Sequence, residues 1–490
     1  MFNSLCQTLN NEPQKLFWRF VILHLIVWTL LPVIFHPNMP IDATETITWG
    51  HEWQLGYERH PPLAAWLAES AVTLSGNKLW SYFLLSQLCI VTGFWAVWRL
   101  AQEWLNKSRS IIAVVLLEGV YYYNFTSPEF NPNVLLLVLW PLTILAFRRA
   151  LIKGNTSYWL ACGLLTGLSV LAKYHTAFLV ISMLAVLLST HHYRKIFKHP
   201  GLYFAMTVAL LVIAPHLYWV TQNDFTTISY GLNRSTAEKM DFANLYYPAK
   251  FIGSQLLAIL FCLIAFVSLK TGQPAFPNAR KPDPFPWIIG LGPFIIIILI
   301  SAVFGMKLKS MWGTPVWFFA GVLLMMYFRP DIGIKNFKRF LITLTIVFIF
   351  IVSVYIAQLN IKLRERAHFP GEDVGTFFTQ EWHKKFNTKL DYVGARLTLG
   401  GNIAFYSPDR PSVYVELKQE RSRWINEADF IKKGGVLVWD TSIDGDAIPE
   451  EWLNRFPNSK PQPVKIFSWR KFNDENPPLK LGWAFVAPQQ

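Results

Sequence analysis

The chain has 490 residues, of which 52% are hydrophobic and only 16% charged, and it includes 38 Phe and 21 Trp. One soluble core could not bury so many apolar side chains, because single cores stop growing near roughly 250 to 300 residues. The composition therefore excludes an ordinary soluble protein, a disordered chain and a collagen-like repeat. It indicates an integral membrane protein.

Apolar runs with few charges follow one another through residues 1–360. They lie at 17–35, 80–98, 110–124, 133–147, 157–172, 176–190, 202–220, 249–268, 286–304, 311–328 and 340–358. A full crossing needs about 20 residues, so we expect the shorter runs to use flanking residues or to be broken. The pattern predicts a polytopic α-helical membrane domain, residues 1–360, with about 11 transmembrane helices.

The net charge of +14 lies in alternate connections between these runs. Basic residues cluster near the N-terminus and at 99–109, 148–153, 194–198, 270–281 and 329–339. Because Lys and Arg are enriched in cytoplasmic loops, the N-terminus is expected in the cytoplasm and the C-terminal tail outside. The excess charge is thereby explained without a nucleic-acid partner. The orientation fits a bacterial inner membrane with a periplasmic outer side, and an endoplasmic-reticulum protein would obey the same rule.

Residues 361–490 differ from the rest of the chain, because charged residues become frequent and Pro, Gly and Asp separate short apolar runs. Strand-like runs occur at 402–407, 412–417, 434–440, 464–469 and 483–488, with a helical stretch near 374–388. The tail is therefore predicted to be a soluble, periplasmic α/β domain.

The long first outer loop, residues 36–79, is rich in acids and aromatic residues. Asp42 and Glu45 are three residues apart, so one helical turn would present both carboxylates on the same side. Such a pair suits a catalytic base, an acid pair or a metal site. Asp42 could instead cap the following helix.

Two consecutive prolines, Pro61 and Pro62, follow Arg59 and His60 in this loop. Each proline fixes its own φ near −65°, and Pro61 also restricts the backbone conformation of His60. The side chains of Arg59 and His60 are therefore attached to a rigid backbone segment. A rigid basic pair at the membrane surface suits an anionic lipid head group. The alternative is a surface histidine beside an arginine that extends to the membrane interface.

Other ionisable residues lie in or beside the apolar runs. Lys173, with Tyr174 next to it, stands at the predicted outer end of a span, where an ionisable side chain is expensive enough to indicate function. Lys173 could also extend to the outer interface. Glu118 lies within a predicted span and is interpreted as a buried partner or as the end of a shorter span. His24 and His216 lie on apolar faces and are interpreted as buried core residues.

Several motifs together resemble a known family. Asp42 is followed eighteen positions later by His60-Pro61-Pro62-Leu63 and then by Trp66, with Gly56-Tyr57 between them. Further likenesses are FNPNVLLLVLWPLTILAFRRAL (130–151), GLLTGLSVLAKYHTAFL (163–179), APHLYWVTQNDF (214–225) and KSMWGTPVW (309–317). The chain resembles the GT-C-fold integral-membrane glycosyltransferases that use polyprenyl-phosphate sugars, in the bacterial branch related to aminoarabinose and protein mannosyl transferases.

The resemblance implies transfer of a sugar from an undecaprenyl-phosphate-type donor to a lipid, glycolipid or protein acceptor at the periplasmic face, without a nucleotide. No residue decides among these acceptors, and lipid A is the preferred hypothesis. It implies roles for particular residues. These are Asp42 and Glu45 in catalysis, Arg59, His60, Lys173 and Tyr174 on the donor phosphate, and Glu129, Asn133, Tyr57, Trp66, Lys307 and Lys309 as acceptor or sugar contacts. Trp66 could instead belong to the aromatic belt at the membrane interface, and Lys307 and Lys309 to a solvated loop. No cofactor is required by the pattern, and a divalent metal is possible.

The chain departs from the family pattern at two places. Ala43 follows Asp42 where the family usually has a second acid, and Asn131-Pro132-Asn133 stands where many members carry an acid, which leaves Glu129 as the nearest carboxylate. Two alternatives therefore accompany the main hypothesis. One is a protein O-glycosyltransferase of the same class, and the other is a transporter or flippase of lipid-linked sugar. Inverted repeats would favour the transporter, and the sequence shows no such paired halves.

Overall fold

A computed structural model describes residue 5, residues 8 and 9, and residues 11–236, 242–269, 283–361, 366–470 and 478–489. The basic segment 270–281, predicted to be cytoplasmic, lies outside the described residues. The chain forms two compact units. The helical unit comprises Met1–Leu30, Arg59–Leu63 and Phe83–Tyr355, and the sheet unit comprises Leu31–Glu58, Ala64–Tyr82 and Ile356–Gln490. Most of the first outer loop thus packs with the C-terminal residues.

Seven helices among the described residues are long and apolar enough to cross a membrane, or nine spans if each of two bent pairs counts as one. The seven are Pro13–Phe35, Trp80–Ala101, Pro132–Lys153, Pro200–Gln222, Phe285–Phe304, Ser310–Phe328 and Ile334–Asn360. The bent pairs are Thr176–Ser189 with His191–Lys198, at 107°, and Ala243–Ala258 with Leu260–Val267, at 49°. The predicted polytopic helical architecture is confirmed.

Two of the eleven predicted runs form shorter elements. The run at 110–124 is divided into the helix Lys107–Val115 and the 3-10 turns Leu116–Gly119 and Tyr121–Tyr123. The run at 157–172 forms the 17-residue helix Thr156–Ala172. The helix Thr226–Ser235 also belongs to the helical unit. Within the segments already named, His191–Lys198 consists of His191–Arg194 and Lys195–Lys198, and Ser310–Phe328 consists of the 3-10 segment Ser310–Phe319 and the helix Ala320–Phe328. The last of the long apolar helices runs from Ile334 to Ile361.

Helix Pro132–Lys153 shows how the sequence sets a helix boundary. The Asn131 side chain caps its start by accepting hydrogen bonds from the backbone N–H groups of Asn133 and Val134, at 2.8 and 3.1 Å. Pro132 occupies the first turn, where its missing N–H costs nothing. Gly154 ends the helix in the left-handed conformation, with φ of 64°, which glycine adopts without strain.

The sheet unit contains five strands in the order β2-β1-β3-β5-β4. They are β1 (Tyr392–Ala395), β2 (Ser412–Val415), β3 (Gly435–Asp440), β4 (Lys460–Phe467) and β5 (Leu479–Val486). Strand β1 pairs in parallel with β2 and β3, whereas β5 is antiparallel to β3 and β4. The helices of this unit are Ile41–His51, Leu63–Leu74, Arg366–His368, Gly371–Phe386, Leu397–Tyr406, Gln419–Arg421, Glu427–Lys433, Thr441–Asp444 and Glu450–Arg455. The predicted small α/β domain is present.

The predicted strand at 402–407 is wrong, because this run belongs to helix Leu397–Tyr406. A short apolar run does not distinguish a buried helix from a buried strand. Helix Leu397–Tyr406 packs against helix Ile41–His51, which we call the loop helix. A Cβ atom on Gly401 would lie 2.5 Å from side-chain atoms of Thr44 and Thr48, so only glycine permits this close packing.

Candidate functional site

Three cations from distant parts of the chain, Arg59, Lys173 and Arg234, form what we call the basic cluster in the helical unit. The guanidinium carbons of Arg59 and Arg234 lie 5.5 and 5.6 Å from the centroid of the Tyr230 ring. Arg234 also donates a hydrogen bond to the Tyr230 hydroxyl. The negative ring face favours both cations, so Tyr230 keeps the two arginines together despite their like charge.

Lys173 is the buried member of the basic cluster, with only 7% of its surface exposed. It follows helix Thr156–Ala172 in an extended conformation, at the break before the next helix. Its Nζ donates to the amide oxygen of Asn133 at 2.5 Å. The amide oxygen of Asn133 thereby orients the ammonium group of Lys173.

The half-buried His60 lies near the basic cluster, and its pKa is affected by burial and by the three positive charges. Burial, followed by the positive charges of Lys173, Arg234 and Arg59, lowers the pKa of His60 to about 3. His60 is therefore a neutral imidazole near pH 7, and its ring lies 6.4 Å from the Tyr230 centroid at 79°. It can still contribute one N–H donor. The charge of the site then comes from the three other side chains.

Tyr174 supports the helix that carries Arg234. Its hydroxyl lies 2.6 Å from Nε2 of the buried His216, and it also bonds the side chain of Thr227 in helix Thr226–Ser235. Burial raises the pKa of Tyr174 to about 12, with the Thr227 hydrogen bond acting in the opposite direction, so the phenol stays neutral. His216, interpreted as a core residue, is 1% exposed.

Lys307 and Lys309 belong to the connection Gly305–Lys309, which reaches the same helix. The backbone N–H of Lys307 donates to the carbonyl of Ser235 at 3.0 Å, directly after Arg234. Lys309 precedes the 3-10 segment Ser310–Phe319. Of these two predicted contacts, Lys307 thus has its backbone fixed beside the basic cluster.

Sequence reasoning missed Arg234 and Tyr230. Two signals were available. Arg234 is a cation in a predicted outer loop, where the positive-inside rule makes basic residues uncommon. Tyr230 precedes it by four residues, which places the two side chains on one face of a helix.

The loop helix of the sheet unit carries Asp42 and Glu45. Asp42 stands in its first turn after Pro40, where a carboxylate interacts favourably with the helix dipole. Both acids are half-buried, whereas Ala43, Thr44 and Thr46 to Gly50 are buried. The two carboxylates therefore share the less buried side of the helix, as the spacing predicts.

A second group of ionisable side chains lies at the C-terminal end of the loop helix, within the sheet unit. Arg410 donates to both carboxylate oxygens of Glu69 at 2.7 Å, and His51 Nδ1 lies 3.2 Å from Glu69. Burial acts to raise the pKa of Glu69, but the hydrogen bond from His51 and the charge of Arg410 hold it below its usual value. For Glu52, burial dominates over His51 and raises the pKa to about 7.

Tyr57 and Trp66, which are predicted contacts of sugar or acceptor, make hydrogen bonds within the loop. Tyr57 is 1% exposed and stacks on Trp49 at 5.4 Å between ring centroids, and its hydroxyl accepts from the Gln54 backbone N–H. Trp66 Nε1 donates to the Gln54 carbonyl at 2.9 Å. The helix that follows the two prolines is the short Leu63–Leu74, and the next long span begins only at Trp80.

Glu129 and Asn133 lie close together in sequence around the helix cap at Asn131. Glu129 is half-buried, and its carbonyl accepts from the Asn131 side chain at 3.1 Å. Of the residues predicted from the sequence, the structure brings Arg59, His60, Lys173 and Asn133 together in the helical unit. Asp42 and Glu45 belong to the sheet unit. Across the described ranges, no three or more His, Cys, Asp and Glu side chains form a group that could hold a metal ion.

Comparison with protein families and curated proteins gives three matches of note. Residues 59–219 match the family "Dolichyl-phosphate-mannose-protein mannosyltransferase". The lipopolysaccharide core galacturonosyltransferase RgtA of Rhizobium johnstonii is 24% identical over 255 residues, 51% of this chain and 49% of RgtA. The lipid A galacturonosyltransferase RgtD of the same organism is 23% identical over 324 residues, 64% of this chain and 66% of RgtD. The chain thus spans about half of RgtA and just under two thirds of RgtD.

Comparison with solved structures gives a match over nearly the whole chain. The crystal structure of ArnT from Cupriavidus metallidurans bound to undecaprenyl phosphate matches with a TM-score of 0.63 and 13% identity, and the match covers 96% of this chain and 97% of ArnT. The apo state of ArnT matches with a TM-score of 0.59. These two chains and the present one share a fold, so the predicted fold class is confirmed.

Proposed function

We propose that the chain is a GT-C-fold integral-membrane glycosyltransferase, as its sequence predicts, and that it transfers a sugar from an undecaprenyl-phosphate-type carrier to lipid A. The observation that carries the proposal is the basic cluster. The charges of Arg59, Lys173 and Arg234 all contribute to the lowered pKa of His60, and the guanidinium carbons of Arg59 and Arg234 lie 5.5 and 5.6 Å from the centre of one tyrosine ring. Such a cluster is suited to an anion with several oxygen atoms, as a carrier phosphate is.

The chemistry of the proposed reaction explains why the cluster is needed. The bond between the anomeric carbon and the phosphate oxygen breaks, and its electron pair stays on the phosphate. The phosphate thereby gains one negative charge, which Arg59, Lys173 and Arg234 stabilise by position and charge. His60 adds a neutral N–H donor. No nucleotide is required.

Asp42 is proposed as the general base for the acceptor. The acceptor oxygen forms the new bond to the anomeric carbon, and its proton passes to the Asp42 carboxylate. Glu45, on the same side of the loop helix, is proposed as a helper. Glu129 and Lys307 are proposed to contact sugar or acceptor. Lipid A as acceptor is supported by the similarity of the chain to RgtD, a lipid A galacturonosyltransferase, and to RgtA, a lipopolysaccharide core galacturonosyltransferase.

The proposed location is the inner membrane of a bacterium, with the N-terminus in the cytoplasm and the C-terminal α/β residues 361–490 in the periplasm. The alternation of basic segments supports this orientation. In this orientation, the proposed reaction uses carrier phosphate and lipid A of the outer leaflet of the inner membrane. Cysteine labelling at position 53, where Trp53 is 55% exposed, tests the orientation with a membrane-impermeant reagent. Protection of that cysteine in intact spheroplasts would contradict it.

Mass spectrometry of envelope lipids from cells with and without the protein tests the function. The proposal expects lipid A species heavier by one sugar only when the protein is present. Unchanged lipid A together with a glycosylated envelope protein would favour a protein O-glycosyltransferase. Unchanged glycans with lipid-linked sugar confined to one leaflet in the deletion strain would favour a flippase.

A further inference from the structure

A closed ring of hydrogen bonds lies inside the helical unit, away from the basic cluster. His24 Nδ1 lies 2.7 Å from the Glu118 carboxylate, and His24 Nε2 lies 3.2 Å from the Gln87 amide oxygen. The other members continue the ring. Gln87 donates to Ser127 Oγ at 3.1 Å, Ser127 donates to the Asn124 carbonyl at 2.9 Å, and Asn124 donates to the Glu118 carbonyl at 2.5 Å.

We call these five residues the polar ring. All are buried, with at most 3% of any residue exposed. Trp28 Nε1 also donates to the Glu118 carboxylate at 3.0 Å, and Ser86 donates to the Ser127 carbonyl. Burying polar groups in an apolar helix bundle is unfavourable unless each has a partner, so removal of one member leaves its neighbours without compensation. The ring therefore favours one arrangement of the chain.

The polar ring fixes an irregular segment rather than a regular helix. Glu118, Asn124 and Ser127 belong to the stretch 116–131, where 3-10 turns replace the α-helix. His24 and Gln87 come from two earlier spans, Pro13–Phe35 and Trp80–Ala101. Short 3-10 turns have poorer hydrogen-bond geometry than an α-helix, so this stretch depends on outside contacts for its shape.

The stretch 116–131 is followed by the helix whose first turn contacts Lys173, the lysine of the basic cluster. Four residues after Ser127, Asn131 caps helix Pro132–Lys153. Asn133, in the first turn of that helix, accepts the hydrogen bond from Lys173 at 2.5 Å. The start of the helix is therefore placed by the stretch 116–131, and the ammonium group of Lys173 is oriented by the start of the helix.

We propose that Glu118 is a positioning residue, which through the polar ring and Asn133 sets the position of Lys173 for the carrier phosphate. The inference rests on the proposed function for the identity of the anion. The carboxylate of Glu118 contacts His24 and Trp28, which are not members of the basic cluster. Its carboxylate is used for the hydrogen bonds that it accepts from Trp28 and makes with His24.

The geometry identifies a conservative variant. In Glu118→Gln, the amide oxygen can accept from Trp28, and the amide nitrogen can donate to a neutral His24 that keeps its Nε2–H bond to Gln87. Every bond of the ring then has a donor and an acceptor. In Glu118→Leu, both Trp28 and His24 lose their partner. The first variant preserves the ring, and the second breaks it.

The test measures the dissociation constant for undecaprenyl phosphate with the full chain in detergent micelles. We expect Glu118→Leu to weaken binding on the order of tenfold, comparable to one lost hydrogen bond to a charged group. Glu118→Gln should bind within about twofold of the unmodified protein, since a preserved ring leaves Asn133 in place. Tyr193→Phe serves as a control for stability, because it removes hydrogen bonds with Arg148 and Asp283 in a separate, partly buried network and should leave binding unchanged.

A double-mutant cycle separates positioning from general destabilisation. If Glu118 acts through Asn133, then Glu118→Leu should have little further effect on binding in an Asn133→Ala background. Additive losses, unchanged binding by Glu118→Leu, or equal losses in the Gln and Leu variants would each overturn the inference. Failure of the proposed function itself has a different signature. In that case the unmodified protein would not bind undecaprenyl phosphate.

Discussion

Arg410 holds both carboxylate oxygens of Glu69 at 2.7 Å from one guanidinium nitrogen. Glu69 belongs to the first outer loop and Arg410 to the C-terminal residues. The two residues are 341 positions apart in the sequence, but they lie in the same compact unit. Their side chains are only 5% and 12% exposed. The pair joins the loop that carries Asp42 to the sheet.

Glu69→Gln should therefore be strongly destabilising. It leaves the Arg410 charge buried without its carboxylate, which typically reduces the free energy of unfolding by roughly 3 kcal/mol. Glu427→Gln is the matched control. Arg455 holds Glu427 through two bonds of 2.8 Å, but both side chains are about a third exposed, so the expected loss is under about 1 kcal/mol. Denaturant unfolding in mixed micelles measures both, and equal losses would contradict the assignment.

Glu52 should make stability depend on pH. Burial holds its pKa at about 7, against 4.5 in the unfolded chain, while His51, Ser412, Glu69 and Arg410 modify this value. Between these values the native state binds more protons, so the free energy of unfolding falls as the pH rises from 4.5 to 7, by about 3 kcal/mol. Glu52→Gln should remove this part of the slope. Identical pH profiles for variant and unmodified protein would show that Glu52 ionises normally.

Arg234→Gln should weaken binding of undecaprenyl phosphate by roughly ten- to a hundredfold, because one charged contact to the phosphate is lost. Arg234→Lys should restore only part of the affinity, since lysine lacks the planar group that lies over Tyr230. Lys250→Gln is the control. Lys250 lies 5.6 Å from the ring of Tyr246, with the same four-residue spacing, but outside the basic cluster. Equal effects at both positions would mean that nonspecific charge governs binding.

Asp42→Asn should lower kcat by roughly a hundredfold or more, the usual contribution of a general base. The dissociation constant for undecaprenyl phosphate should stay within about twofold, because Asp42 is assigned to the acceptor and not to the phosphate. Glu45→Gln should reduce kcat less. Single-turnover transfer and equilibrium binding, measured on the same preparations, separate the two effects. Normal turnover by a well-folded Asp42→Asn protein would refute the role of Asp42.

Local patterns in the sequence predicted much of the fold. The apolar runs located the long spans, and strands β2 to β5 were expected close to where they occur, because each signal needs only neighbouring residues. Helix Leu397–Tyr406 was mistaken for a strand. Its form depends on packing against the loop helix at Gly401, which a short apolar run does not reveal.

The candidate site was predictable only where a residue is unusual for its own surroundings. Lys173 next to an apolar run and Arg59 before two prolines could be selected from the sequence alone. Arg234 and Tyr230 become candidate site residues only because the Tyr230 ring lies close to Arg59, about 170 positions earlier in the chain. Two partners of Glu118, His24 and Trp28, also lie far away in the sequence, at 94 and 90 positions. Such long-range contacts follow from the packing of helices and not from spacing along the chain.

The most direct test reconstitutes the purified protein in liposomes with lipid A and a carrier-lipid extract from bacterial inner membranes. Mass spectrometry then follows lipid A and released undecaprenyl phosphate in the same sample. The mechanism predicts one carrier phosphate released for each sugar gained by lipid A, and neither product with the Arg59, Lys173 and Arg234 side chains replaced. Unmodified lipid A and an intact sugar carrier in the presence of folded protein would contradict it.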